Sequence, residues 1–267
     1  MEAGVPGKIK RAILQQPWGG LGDNLQFTTL PGLYHQRGIE FYLSSQNTYR
    51  NNEIYDMVWR DNPYVKGIVD EPGNVGWPAF NVAGKGYTLR THNIITAWES
   101  EHLGIDKEPR FKAPIIFYRP KIISSLYDKT IVDLGGVALG NGFFDFEKVK
   151  AFITDNFDMT KVFGLLKKGN PKMHNCFGEE FPENVIEYET CDEYMNIISS
   201  CCNFVGIYSG SNAIAAALNK HKLFNAYCLV QYTGLPGDLT WHTLEDPGYL
   251  FDTVVYKNLL IESEMKI

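Results

Sequence analysis

Apolar residues fall into two successive sets of short runs, each separated by segments with helical spacing. In the first set, Ala12-Ile13-Leu14 leads into the turn Gln16-Pro17-Trp18-Gly19-Gly20-Leu21-Gly22-Asp23-Asn24. A helical segment from Leu25 to Arg37 follows, Gly38 stops it, and Ile39-Glu40-Phe41-Tyr42-Leu43 reads as a second strand. That order predicts a strand, a helix and a parallel strand. Pro31, inside the helical segment, predicts a kink. Ile54, Met57 and Val58 then stand at helical spacing within residues 47–64, before a short apolar run from Val65 to Val69. The Gly, Pro, Asn and Trp of residues 71–86 predict a long surface loop, and Thr91 to Leu103 reads as a helix ended by Gly104.

Pro109, Pro114 and Pro120 punctuate a linker, after which the alternation resumes. Thr130 to Leu134 predicts a strand, Gly135 to Gly142 a glycine turn, Phe146 to Phe157 a helix and Lys161 to Leu166 a strand. Asn184 to Tyr188, Cys191 to Ser200, Asn203 to Ile207 and Ser211 to Leu218 continue it as strand, helix, strand and helix. Repeated strand and helix alternation predicts parallel sheets covered on both faces. The expected architecture is therefore α/β: two doubly wound, Rossmann-like domains, residues 1–120 and 121–267, facing a central cleft, each with its own core.

Composition narrows the class. A chain of 267 residues with 44% hydrophobic and 21% charged residues is an ordinary globular protein. Its net charge of -6 combines +2 over residues 1–125 with -8 over residues 126–267, and no dense basic cluster supports nucleic-acid binding. No apolar run approaches the roughly 20 residues that span a bilayer, and Met1 to Arg11 lacks the apolar core of a signal peptide, so the expected compartment is the cytoplasm. The cysteines Cys176, Cys191, Cys201, Cys202 and Cys228 show no C-x-x-C spacing, which predicts reduced thiols. His174 beside Cys176 has no matching second pair, so no metal site is expected.

Two turns carry the candidate chemistry. Gly19, Gly20 and Gly22 let backbone amides approach a ligand at a helix start, where Asp23 either caps the helix or takes a proton from a hydroxyl. Tyr208-Ser209-Gly210-Ser211-Asn212 comes off a strand and opens an alanine-rich helix. Its amides and hydroxyls are suited to a phosphate, and equally its serines are suited to capping. Both turns lie beyond strand C-terminal ends, the place for ligands in such sheets.

The stretches "GGLGDNLQFTTLPGLYHQRG", "RTHNIITAWESEHLGI" and "CDEYMNIISSCCNFVGIYSGSNAIAAAL" together resemble, in order, three signatures of the heptosyltransferases of glycosyltransferase family nine. The resemblance implies a GT-B fold and inverting, metal-independent transfer of a sugar from a nucleotide-sugar donor to a glycan or glycolipid acceptor, with no cofactor. It also implies an enzyme working in the cytoplasm, with the inner face of a membrane as a peripheral contact. By resemblance, Asp23 is the general base. Ser209, Gly210, Ser211 and Asn212 hold the donor diphosphate, with Gly135, Gly136, Gly140 and Gly142 opposite; the loop from Gly135 to Phe144 lacks the basic residue the family often uses there, and Lys167 or Lys168 after the next strand is the expected substitute. Glu189 grips a ribose hydroxyl, while Gly20, Gly22, Asn24, Arg90 and His92 lie on the acceptor side. Tyr208 stands where the family has an acid, and Ala213 where it often has a histidine. Three other readings remain: a fucosyltransferase-like GT-B enzyme, a non-catalytic nucleotide or glycan module of the same fold, and an NAD-linked oxidoreductase. The last needs a G-x-G-x-x-G that the first turn lacks, even with Glu40 available for a ribose.

Overall fold

The computed structural model describes residues 11–16, 19–46, 48–76, 93–104, 111–135, 145–169, 181–207, 209–219, 223–230, 251–259 and 263–265. The first half holds β1 (Arg11–Gln15), α1 (Leu21–Leu25), α2 (Leu30–His35), β2 (Glu40–Ser44), α3 (Asn52–Tyr55), β3 (Val65–Val69), β4 (Val75–Gly76) and α4 (Ile94–Leu103). These strands form a parallel sheet in the order β3-β2-β1-β4.

The second half holds β5 (Thr130–Asp133), α5 (Phe146–Asn156), β6 (Val162–Lys167), β7 (Val185–Tyr188), α6 (Cys191–Ser200), β8 (Asn203–Ile207), α7 (Gly210–Leu218), β9 (Asn225–Val230), β10 (Val255–Asn258) and β11 (Ser263–Met265). Its seven-stranded sheet runs β11-β10-β9-β8-β5-β6-β7. Only β11, at the edge, is antiparallel to its neighbour. Successive residues of a strand point to opposite faces, and both faces of this sheet are buried. Ile131 and Phe204 join one apolar cluster, while Val132 and Val205 join a second beneath Val149 and Ile153 of α5.

The expected Leu25 to Arg37 helix is two short helices. Asp23 starts the first one early, because its carboxylate caps the Gly20 N–H and sets the helix running from Leu21. Pro31 falls in the first turn of α2, where its missing N–H costs nothing, so no helix interior is kinked. Between them, the Thr28 hydroxyl donates to the Leu25 carbonyl and accepts from the Ile115 N–H. The helical spacing after residue 47 resolves into α3, capped by Asn51, continuing as a π-helical turn over Asp56–Arg60.

The expected loop of residues 71–86 contains a short strand, β4. A Cβ on Gly76 would lie 2.1 Å from the Gln15 carbonyl oxygen and one on Gly73 2.3 Å from the Gln15 Cβ, so glycine alone lets β4 approach β1 this closely. Residues 77–86 of that loop lie outside the described residues.

Two separate cores were the expectation, but one buried cluster runs from Leu14, Phe27, Trp59 and Trp98 of the first half to Ile131, Phe204, Ile214 and Tyr256 of the second. Trp98 of α4 stacks on Phe27 with ring centroids 3.8 Å apart, both fully buried. Residues 111–123 form no helix or strand, and they stitch the halves together. The Phe111 carbonyl accepts from the Asp252 N–H, and the Lys121 and Ile123 N–H groups donate to Asn196 and Ser200 of α6. Side chains of Asn196 and Ser200 thus supply partners that a strand would otherwise have given this backbone.

Candidate active site

In each sheet the chain reverses its direction of strand addition beside the first strand. For the first sheet that point lies between β1 and β4, and for the second between β5 and β8. Such switch points leave a crevice at the strand C-terminal ends. Gly19 to Asp23 follow β1, Gly135 follows β5 and Ser209 follows β8, so the sequence-predicted turns stand at these crevices.

The first turn is held from several sides. Gly19 has φ +61°, and a Cβ there would lie 2.9 Å from the Arg50 nitrogen, so the position requires glycine on both counts. Its carbonyl accepts from the Arg50 N–H at 2.8 Å and its N–H donates to the buried Gln16 side chain, which in turn donates to the Thr48 carbonyl. Asp23 Oδ2 accepts from the Gly20 N–H at 3.0 Å, and a Cβ on Gly20 would lie 2.6 Å from that oxygen. The Asp23 side chain is half-buried, so the cap leaves the residue at the surface of the crevice. Asn24 is different: it is fully buried, its amide donating to the Gly20 carbonyl and accepting from the Trp59 indole N–H, both at 2.8 Å. It braces the turn and does not face an acceptor, contrary to its expected place.

The second turn meets the first. A Cβ on Gly210 would lie 3.4 Å from the Gly22 nitrogen and 3.5 Å from its Cα, so the N-terminal ends of α1 and α7 abut. Ser209 caps α7, its Oγ accepting from the Ser211 N–H at 3.3 Å, and the two hydroxyl oxygens are 2.8 Å apart. Asn212 is buried with its amide donating to the Tyr256 hydroxyl, so it anchors α7 to β10 and turns away from the crevice. Across the same junction, the Cys191 thiol at the start of α6 donates to Glu53 of α3 at 3.6 Å. Burial, followed by the Glu53 charge, pushes that thiol up to about 11, so it stays protonated.

Behind Ser211 lies an acid that the alternation pattern had absorbed into a strand. Asp133 ends β5, is 5% exposed, and accepts from the Tyr194 hydroxyl of α6 at 2.5 Å and from the Gly135 N–H at 2.9 Å. The Ser211 hydroxyl stands near enough to favour its charged form. Burial outweighs these hydrogen bonds and pushes the carboxyl up to about 6. Tyr188, at the end of β7, packs on Tyr194 with ring centroids 4.8 Å apart, and burial and the Asp133 charge raise its phenol. The available signal was a lone acid closing an otherwise apolar buried strand.

Glu189 pairs with Lys168 on the open surface, which lowers the acid's pKa and raises that of the lysine. Lys167 is half-buried at the end of β6, and its charge reaches the Cys191 thiol. It is thus Lys167, of the two lysines, that faces the junction between the halves. Gly136, Gly140, Gly142, Tyr208, Arg90 and His92 lie outside the described residues, as do His174 and Cys176. Among the described residues no group of three His, Cys, Asp or Glu side chains is placed to hold a metal ion, and no helix is long and apolar enough to cross a membrane.

Solved structures share this fold. The bacterial iron-containing dodecameric glycosyltransferase TibC from enterotoxigenic E. coli superposes with a TM-score of 0.58 at 14% identity, over 92% of this chain and 62% of that one. A second structure, of the dodecameric iron-containing heptosyltransferase TibC in complex with ADP-D-beta-D-heptose, gives 0.56 at 15% identity, over 85% and 60%. The chain has the GT-B fold. A glycosyl transferase of family 9 from Veillonella parvula matches too, with a TM-score of 0.52 at 11% identity, over 93% of this chain and 86% of that one. This GT-B chain spans about three-fifths of the length of TibC. No protein-family model and no curated protein matches its sequence.

Proposed function

We propose that this chain is an inverting glycosyltransferase that moves a sugar from a nucleoside diphosphate sugar to a hydroxyl of a glycan or glycolipid. The observation that carries this reading is the abutment of the Gly22 and Gly210 turns, each at the switch point of its own sheet within a GT-B fold. The two turns divide the chemistry. Amides and hydroxyls at the start of α7 meet the donor diphosphate and the negative charge that grows on it as it leaves, a role that helix N-termini fill without a metal. Asp23, half-buried on the facing turn, takes the proton of the attacking acceptor hydroxyl, which requires an approach of about 3 Å. Attack from the face opposite the leaving group inverts the anomeric carbon. Lys167 adds positive charge on the donor side, and Tyr188, backed by Tyr194 of α6, supplies a ring at the end of β7.

TibC, the similar structure with ADP-heptose bound, makes ADP-linked heptose the first donor to test. In this reading the enzyme works on the cytoplasmic side, against an acceptor at a membrane surface. The Gly20 cap on Asp23 favours a second reading, a nucleotide-binding module in which Asp23 only holds the turn. A panel of nucleotide sugars tests the donor role by thermal stabilisation, since a ligand at 100 times its Kd stabilises by about 2.7 kcal/mol. Release of nucleoside diphosphate in the presence of glycan acceptors then separates enzyme from module. No stabilisation by any nucleotide sugar contradicts both.

A further inference from the structure

Asp23 is held through a buried network that starts just beyond α3. Its carboxylate accepts from the Gly20 N–H at 3.0 Å, so the Gly20 peptide decides where the acid stands. The Gly20 carbonyl is gripped in turn, accepting from the Asn24 backbone N–H at 3.0 Å and from the Asn24 side-chain amide at 2.8 Å. That amide is bound at its other end, where its oxygen accepts from the Trp59 indole N–H at 2.8 Å. An indole N–H only donates and a carbonyl only accepts, so one orientation of the Asn24 amide satisfies both, and turning it over breaks both bonds. Asn24 is 0% exposed and Trp59 1%, so water replaces neither bond. Trp59 owes its place to an irregular turn. Asn51 caps α3, and the helix then widens into the π-helical turn over Asp56–Arg60, which buries Met57, Val58 and Trp59 in succession. Its hydrogen bonds span one residue more than those of an α-helix, which changes the directions in which its side chains leave the axis.

Resting on the base role proposed for Asp23, we propose that Trp59 and Asn24 are positioning residues of the transfer reaction. The indole N–H sets the Asn24 amide, the amide sets the Gly20 peptide, and that peptide holds the Asp23 carboxylate within reach of the acceptor hydroxyl. A base acts only within hydrogen-bond distance of the proton it takes, and a displacement of about 1 Å costs about a hundredfold in rate. Neither residue touches a substrate. The donor turn at the start of α7 is held by other groups, the Ser209 cap and the Asn212 bond to Tyr256, so the network governs the rate of transfer and leaves donor binding alone.

Trp59→Phe keeps an aromatic ring and removes the N–H, while Asn24→Leu keeps the volume and removes the amide; should one variant fail to fold, the other carries the test. Hydrogen exchange of the Gly20 amide, followed by NMR in the whole chain, reads the network without any substrate. It is expected to quicken at least about tenfold in either variant, while the amides of β5 and β8 exchange as slowly as in wild type. Turnover, measured as nucleoside diphosphate released from ADP-heptose and from GDP- and UDP-sugars with glycan acceptors, is expected to fall about a hundredfold. Affinity for ADP, GDP and UDP is expected to stay within about twofold of wild type. In an Asp23→Ala chain the same substitutions are expected to lower the residual turnover no further, because the group they position is gone, whereas a purely structural effect multiplies. Unchanged Gly20 exchange, or a multiplying loss, overturns the positioning role and leaves Asp23 as the base. Wild-type turnover in Asp23→Ala overturns the base role, and the positioning role with it.

Discussion

Gly22 and Gly210 come together where the two halves of the chain meet, with space for little more than a methyl group between the Gly210 α-carbon and the Gly22 backbone. Two loops 188 residues apart are thereby made into one site. Gly210→Ala places its methyl at ordinary contact distance and is expected to fold with near-normal stability. Gly210→Val drives branched carbons into α1 and is expected to destabilise by about 1–3 kcal/mol, the usual cost of overpacking. Urea unfolding of the two variants measures the difference, and equal stabilities would mean that the turns do not abut.

Asp23 has a structural task and a proposed chemical one, and two substitutions separate them. Asp23→Asn keeps an oxygen for the Gly20 N–H and is expected to stay within about 0.5 kcal/mol of wild type, while Asp23→Ala loses the cap at a cost of about 1 kcal/mol. Both variants lose the base. Turnover of either is expected to fall by at least about a hundredfold with nucleotide binding retained. Steady-state rates near those of wild type for Asp23→Asn would reduce Asp23 to a cap.

Stability should carry the mark of Asp133. Its folded-state pKa of about 6 lies above the ordinary 3.8, so the native state holds a proton that the unfolded chain has already released between those values. The contribution is fully present below about pH 4 and is lost as pH rises through about 6, amounting to roughly 3 kcal/mol for a shift near two units. Subtracting the pH profile of Asp133→Asn from that of wild type isolates it. A difference that stays flat between about pH 4 and 7 would show that the carboxyl titrates normally.

Lys168 and Glu189 form an exposed pair, and exposed pairs contribute about 0–1 kcal/mol. Lys168→Ala is therefore expected to leave the melting temperature nearly unchanged, and Glu189→Ala the same. If Glu189 nonetheless grips the donor ribose, its substitution weakens nucleotide binding several-fold while Lys168→Ala does not. A titration of both variants decides between a surface pair and a ligand contact.

Much of this arrangement was legible in the chain. Apolar runs separated by helical spacing gave most strands to within a residue or two, because buried parallel strands are continuous apolar segments. Gly19 and Gly20 marked a turn for a reason the structure repeats, since one has positive φ and the other leaves room for the Asp23 carboxylate. What could not be read depended on distant partners. Val75–Gly76 is a strand only because β1 lies within reach of two side-chain-free positions, and Asn24 faces inward only because Trp59 waits there for its carbonyl. Asp133 reads locally as a strand end, and its environment is built by Tyr194 and Ser211, more than sixty residues away.

The turn at the start of α7, joined to the Asp23 turn, is proposed to hold the diphosphate of a nucleotide donor. Calorimetric titration of wild type and Ser209→Ala with ADP, GDP and UDP tests it most directly. The expected result is a saturable site for at least one nucleotide in wild type, weakened about tenfold when the Ser209 hydroxyl is removed, a loss of about 1.4 kcal/mol. Undiminished affinity in Ser209→Ala, or no binding of any nucleotide to wild type, would contradict it.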